Sequence, residues 1–191
     1  MLSLVMSERV MEAELAAGRI ACPGCSGPLS RWGFARAREV RMLHGTRSLT
    51  PRRAYCRRCE ATHVLCPAWL MPRRRDGAQV IGEALRQSAR GDGHRRIASR
   101  LGRPSGTVRG WLRASRSRAE LLRRSGVRWA YMLDPQLGAI EPAGSPLGDA
   151  LEALATASRA FTLRFGAGRC PWELAVCLTG GLLHGQPPDP P

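Results

Sequence analysis

The chain has 191 residues, 43% hydrophobic and 24% charged, which suits a soluble globular protein of one domain or of two or three small ones. Its formal net charge is +15, with every basic side chain an Arg, and between Arg31 and Arg128 there are 25 Arg against 6 acids, a local net of +19. Residues 1–30 carry −1 and residues 129–191 carry −3, no stretch is apolar for long enough to cross a bilayer, and Glu8, Glu12 and Glu14 stand where a secretory signal would be basic, so a cytoplasmic protein with no membrane role is expected.

A GC-rich coding bias accounts for Arg in place of Lys, but not for the shortage of acids in the same stretch. That shortage points to a polyanion, because each phosphate neutralised by Arg releases condensed counterions. The partner expected on these grounds is double-stranded DNA.

Residues 1–19 place Leu4, Met11 and Leu15 at spacings that predict a short amphipathic helix. Residues 20–72 read as a zinc ribbon. Cys22-Pro-Gly-Cys25 and Cys56-Arg-Arg-Cys59 are two CxxC pairs with thirty residues between them, and each pair can hold a metal through two thiolates on a tight knuckle. Four sulfurs complete a tetrahedral shell and leave no position for water. One structural Zn2+ on Cys22, Cys25, Cys56 and Cys59 is therefore expected, not a catalytic metal. Leu29, Trp32 and Phe34, then Arg36–Met42, Leu49–Tyr55 and Thr62–Leu65, have strand character. His44, His63 and Cys66 are weaker ligand candidates. Cys66 sits in the apolar run from Val64 to Leu70, where a buried thiol packs as a small hydrophobe. Cys170 and Cys177, seven apart, read as packing residues on one helix face.

Residues 73–118 read as a three-helix, helix-turn-helix domain. Arg73, Arg74 and Arg75 open it, and they serve equally well as a solvated linker or as an arm that clamps phosphate or enters a narrow minor groove. The segment from Ala78 to Arg90 predicts a supporting helix with Val80, Ile81, Ala84, Leu85 and Ser88 near one face. Two short helices follow over residues 93–116. Ala98 allows their close approach, Gly102 supplies a left-handed turn, and Ile97, Leu101, Val108, Trp111 and Leu112 form their apolar faces. Pro104 and Ser105 start the second helix, the serine as a candidate cap. Its opposite face presents Ser105, Gly106, Arg109, Gly110 and Arg113, with Arg103 and Thr107 beside them. Two small residues permit approach to the groove floor, and an arginine can fork onto the O6 and N7 of guanine. An ordinary three-helix core uses the same small residues; the cationic face is what favours DNA.

Residues 119–185 predict a helical C-terminal region and residues 186–191 a disordered tail. Ser145-Pro146 starts a helix with Leu147, Leu151, Leu154, Phe161 and Phe165 on one side, and Pro171-Trp172-Glu173 starts another with Leu174, Cys177, Leu178 and Leu182. The acids here lie on amphipathic helices or in turns, not in the carboxylate cluster that two-metal strand transfer needs. Two roles stand open for the region: covering the back of the DNA-reading domain, or pairing two copies as a homodimer away from the cationic segment.

The two patterns in this order resemble the N-terminal region of insertion-sequence transposases, and still more the short stand-alone actinobacterial proteins that pair a zinc ribbon with a helix-turn-helix. The resemblance covers roughly residues 20 to 118 and rests on the two cysteine pairs and on Ile97-Ala98 through Gly102 to Thr107–Leu112. It implies DNA binding linked to mobile elements. Ser26 and Glu60 stand where a glycine often follows the second cysteine of each knuckle, and no catalytic domain is expected in the residues after the helix-turn-helix. The expectation is thus a mainly α protein with a small β ribbon, reading DNA without catalysis. A DNA-binding subunit or remnant of a transposase and a protein-docking zinc ribbon are the alternatives.

Overall fold

The computed structural model describes residues 2–4, 8–71, 74–166 and 170–179, which form two compact units, one up to Gly77 and one from Ala78. Among the described residues the strands are confined to the first unit and helices dominate the chain, so the fold is mainly α with a small β unit.

The first unit contains β1 (Leu2–Leu4), α1 (Glu8–Ala16), β2 (Leu29–Phe34), β3 (Arg38–Arg41), β4 (Thr46–Leu49), β5 (Arg52–Cys56) and β6 (Thr62–Pro67). Its main sheet has the order β1-β6-β5-β2, antiparallel except where β1 runs parallel to β6, and β3 and β4 form a separate hairpin. Leu4 therefore belongs to a strand and not to a helix shared with Met11 and Leu15. Three residues are too few to show a period, and the pairing of Leu2 with Leu65 is set by a partner far along the chain. The helix starts at Glu8 and buries Met11 and Leu15 against Ile20, Leu29, Ala54 and Leu65, together with the thiols of Cys22 and Cys56. A second cluster, Val40, Leu49, Cys66, Trp69 and Leu70, lies under the hairpin.

Residues 74–77 are fastened to β3. The Arg41 N–H donates to the Arg75 carbonyl at 2.7 Å, the Gly77 N–H donates to the Arg41 carbonyl at 3.0 Å, and the Arg41 guanidinium meets the buried Asp76 carboxylate at 2.6 Å.

The second unit contains α2 (Ala78–Ala89), α3 (His94–Leu101), α4 (Ser105–Arg116), α5 (Ala119–Leu133), α6 (Pro146–Phe165) and α7 (Pro171–Leu178). Ser145 caps α6, its hydroxyl accepting from the Gly148 N–H at 3.1 Å, with Pro146 in the first turn. The buried face of α6 differs from the expected leucine and phenylalanine stripe. Leu147 and Leu154 are buried, but the other buried residues are small, Ala150, Ala153, Ala157 and Ala160 with Gly148, Thr156 and Ser158, while Phe165 is 61% exposed. Small side chains are required because α5 crosses here at Gly126. A Cβ on that glycine would stand 2.7 Å from the Ala153 carbonyl carbon and the Leu154 nitrogen. Gly126→Val should cost about 3 kcal/mol by prising the two helices apart, measurable as a lower urea midpoint.

α7 docks in the same manner on α2, where a Cβ at Gly82 would fall 2.1 Å from the Trp172 ring. The Leu178 carbonyl at its far end accepts from Ser125 Oγ at 2.9 Å and from the Trp129 indole N–H at 2.7 Å, so a helix terminus that would leave its carbonyl bare is satisfied by α5. Leu182 lies outside the described residues. The apolar faces of α6 and α7 are thus spent largely inside the unit. No helix among the described residues is long and apolar enough to cross a membrane.

Candidate metal centre and candidate nucleic-acid interface

The four expected cysteine ligands come together. Cys22 and Cys25 lie between α1 and β2, Cys56 is the last residue of β5, and Cys59 lies on the turn between β5 and β6. In the first turn the Cys22 N–H donates to the Gly27 carbonyl at 2.7 Å and the Ser26 N–H to the Cys22 carbonyl at 2.8 Å; in the second, the Cys56 N–H donates to the Ala61 carbonyl at 2.9 Å. The residue after each second cysteine is left-handed, with φ of 58° at Ser26 and 57° at Glu60. Both are positions that glycine occupies without steric cost. Ser26→Gly and Glu60→Gly should each stabilise the unit by about 1 kcal/mol, read as a higher thermal midpoint with unchanged metal content.

The sulfurs of Cys22 and Cys59 are 3.6 Å apart, those of Cys25 and Cys56 are 3.4 Å apart, and all four lie within 4.8 Å of one another. A tetrahedron with metal–sulfur bonds of about 2.3 Å has edges of about 3.8 Å, so the cluster could hold one metal ion. Cys22 and Cys56 are buried, Cys25 is half-buried and Cys59 is exposed. The Cys59 backbone N–H, with help from the Cys25 side chain, brings the Cys56 thiol down to about 7. At Cys59 the Ala61 N–H favours the thiolate, yet hydrogen bonds with the sulfurs of Cys25, Cys22 and Cys56 together push the thiol up to about 12. Four thiolates this close repel one another unless a cation lies among them, so metal loading must expel protons.

His63 Nε2 lies 3.4 Å from Cys22 Sγ and so borders the cluster. Cys66 does not: it is buried in the hairpin core, where desolvation raises its thiol pKa. His44 is on the exposed hairpin turn. Cys170 stands at the N-terminus of α7 and Cys177 within it, both half-buried.

In the second unit α3 ends on Gly102 with φ 60°. The Arg103 N–H donates to the Ala98 carbonyl at 2.9 Å and the Gly102 N–H to the Ser99 carbonyl at 3.2 Å, the paired closure that a left-handed terminal glycine permits. Ser105 differs from expectation. Pro104 takes the cap position, no side chain caps α4, and Ser105 is its first helical residue. Ile97, Ala98, Val108, Trp111 and Leu112 are buried and Leu101 is half-buried, as the apolar pattern requires.

The opposite face of α4 is open. Ser105, Gly106, Arg109 and Arg113 are exposed, Thr107 and Gly110 are half-buried, and a Cβ added at Gly106 or Gly110 would meet nothing within 4 Å among the described residues. The Arg103 guanidinium folds back onto the Leu101 carbonyl at 2.9 Å and the Gly102 carbonyl at 3.2 Å, bracing the turn. On α3, Arg96 and Arg100 share Asp92, which holds its carboxyl below the usual range. No such carboxylate stands within 4.0 Å of Arg109 or Arg113 among the described residues.

Arg73 lies outside the described residues. Arg74 and Arg75 sit beside β3 in the first unit, where they line a cleft with Arg36, Arg38 and Ser48. Those three residues were not singled out from the sequence, because only the long-range pairing of Arg41 with residues 75–77 brings the hairpin and the arginine run together.

Residues 22–111 match the family model of a domain of unknown function, DUF6431. The matched span opens on the first cluster cysteine and closes within α4, so it takes in all four cluster cysteines, α3 and the first part of α4. It covers just under half of the chain. No curated protein and no solved structure matches the chain.

Proposed function

We propose that the protein is a non-catalytic, sequence-reading DNA-binding protein, a transcriptional regulator or an accessory factor derived from a mobile element, with a structural zinc ribbon and a helix-turn-helix. The observation that carries the reading is the outer face of α4. Glycine in a helix interior costs about 0.5 to 1 kcal/mol relative to alanine, and among the described residues nothing stands within 4 Å of a Cβ added at Gly110, inside α4, or at Gly106, in its first turn. Internal packing gives no reason for them. Close approach by an external surface does, and Arg109 and Arg113, exposed beside the glycines, give that surface its charge: phosphate at the groove edge and guanine within it.

Zinc is the metal that best suits four thiolates at this spacing, in a site closed to water. Its role is then structural, holding β2, β5 and β6 around a core that counts two of the cysteines among its buried residues. A homodimer through α5–α7 would draw on the exposed Leu121, Tyr131, Met132, Leu163 and Phe165, since among the described residues the other large apolar side chains of these helices are buried or half-buried within the unit.

The test exploits the glycine argument. Gly110→Ala should raise the unfolding free energy by about 0.5 to 1 kcal/mol while weakening duplex DNA binding, because the added methyl group intrudes on the groove. Chemical denaturation and fluorescence anisotropy on the same preparation measure both. A stabilised variant that binds duplex DNA as tightly as the parent would remove α4 as the contact surface.

A further inference from the structure

The arginines of the first unit are unevenly compensated. Glu8 pairs with Arg47 at 2.9 Å, Glu12 with Arg52 at 2.8 Å, Glu14 with Arg19 at 2.6 Å and Asp76 with Arg41 at 2.6 Å, so four of the six acids among the unit's described residues are committed. Glu60 sits on the second cysteine turn and only Glu39 remains near the hairpin. Arg36, Arg38, Arg74 and Arg75 nevertheless converge on one cleft of about 570 Å³, with no carboxylate within 4.0 Å of any of them among the described residues. Glu39 and Ser48, partners in the β3–β4 register, complete the lining with Ala37.

Arg36 comes from the loop before β3 and Arg38 from its first residue. Arg74 and Arg75 arrive from the far end of the unit, fixed there by the backbone bonds of Arg41 and by the buried Asp76. Arg38 also reaches the Cys66 thiol, which anchors its stem over the hairpin core. Four guanidiniums and one carboxylate give the cleft a net charge of +3. Like charges gathered in a concavity repel, and the gathering is favourable when an anion of higher charge fills it. Guanidinium forks and a serine hydroxyl are donors only toward such an anion, and phosphate oxygens are the acceptors whose geometry they match.

We propose that this cleft is a phosphate-binding site, built to hold consecutive phosphates of a polyanion. With DNA as the source it rests on the function proposed above and adds a sequence-independent grip in the first unit, separate from base reading by α4. A free oligophosphate offers the same chemistry.

The test uses the full chain loaded with zinc, and two double variants, Arg36→Ala with Arg75→Ala, and Arg38→Ala with Arg74→Ala. The first avoids Arg38 and its contact with the hairpin core, so it remains informative if the second fails to fold. The probes are a random-sequence DNA duplex, titrated over a range of salt, and inorganic tripolyphosphate, followed by calorimetry. Each double variant should lose roughly tenfold in duplex affinity at moderate salt and flatten the slope of log affinity against log salt by about 1 to 2, with base preference unchanged. Tripolyphosphate should bind the parent and be lost from both variants. If the parent ignores DNA but binds tripolyphosphate through these arginines, the DNA reading fails and the phosphate site stands. If duplex binding falls with Arg109→Ala while the folded cleft variants match the parent on both probes, the DNA reading stands and the cleft is not a phosphate site.

Discussion

Cys22→Ser or Cys59→Ser should strip the protein of its metal and unfold the first unit, while the parent carries one zinc per chain. Thiolate ligation of a structural zinc contributes apparent free energies of about 10 to 16 kcal/mol near neutral pH. The apolar core it reinforces is small: Met11, Leu15, Ile20, Leu29, Ala54 and Leu65, with Cys22 and Cys56 completing it. Cys59 is the more telling position, because it is exposed and its loss removes a ligand without opening a cavity. Elemental analysis and near-ultraviolet circular dichroism read the two effects, and the helices of the second unit should persist. Cys66→Ala is the control, lowering stability through the hairpin core while keeping the metal.

The pH dependence has a definite sign. Hydrogen bonds bring the Cys56 thiol down to about 7 and push the Cys59 thiol up to about 12, so at least part of the cluster is protonated before loading, loading displaces protons and affinity falls as pH falls. Protein that resists a chelator at pH 8 should release its metal at pH 5. Metal-free protein with an unchanged fold would end the zinc account.

Arg109→Ala or Arg113→Ala should cost roughly 1 to 3 kcal/mol on the preferred duplex and relax its base preference, with little effect on stability. Both side chains are exposed on the face of α4 opposite Val108, Trp111 and Leu112, so truncating them leaves the core intact. Arg96→Ala or Arg100→Ala should do less to base preference, since both guanidiniums are engaged with Asp92. Equal losses on preferred and random duplexes for Arg109 and Arg113 would mean that α4 grips phosphate and reads no base.

What the sequence revealed of this molecule follows the range of the interactions involved. The two cysteine pairs, the left-handed turn at Gly102 and the two faces of α4 are written in neighbouring residues, and each has its expected local form. Features set by distant partners were not legible. β1 exists because Leu2–Leu4 finds β6 more than sixty residues on. The alanine face of α6 answers a glycine on α5, so an apolar period running on to Phe165 marked an exposed residue as packed, while Phe161 is only half-buried. The arginine run at residues 73–75 read as a linker or an arm, whereas the part described, Arg74 and Arg75, is held against β3 by backbone pairing that no local pattern encodes. The left-handed geometry of Ser26 and Glu60 lies between these cases: the resemblance marked both as glycine positions, and the backbone supplies the reason.

The central claim is that the protein reads a base sequence, and its most direct test is selection of duplexes from a fully randomised library by the full-length, zinc-loaded chain. The account predicts that a short motif emerges over successive rounds, and that the Arg109→Ala variant no longer enriches it. Recovery of DNA with no preferred sequence, or no recovery of DNA at all, would contradict it.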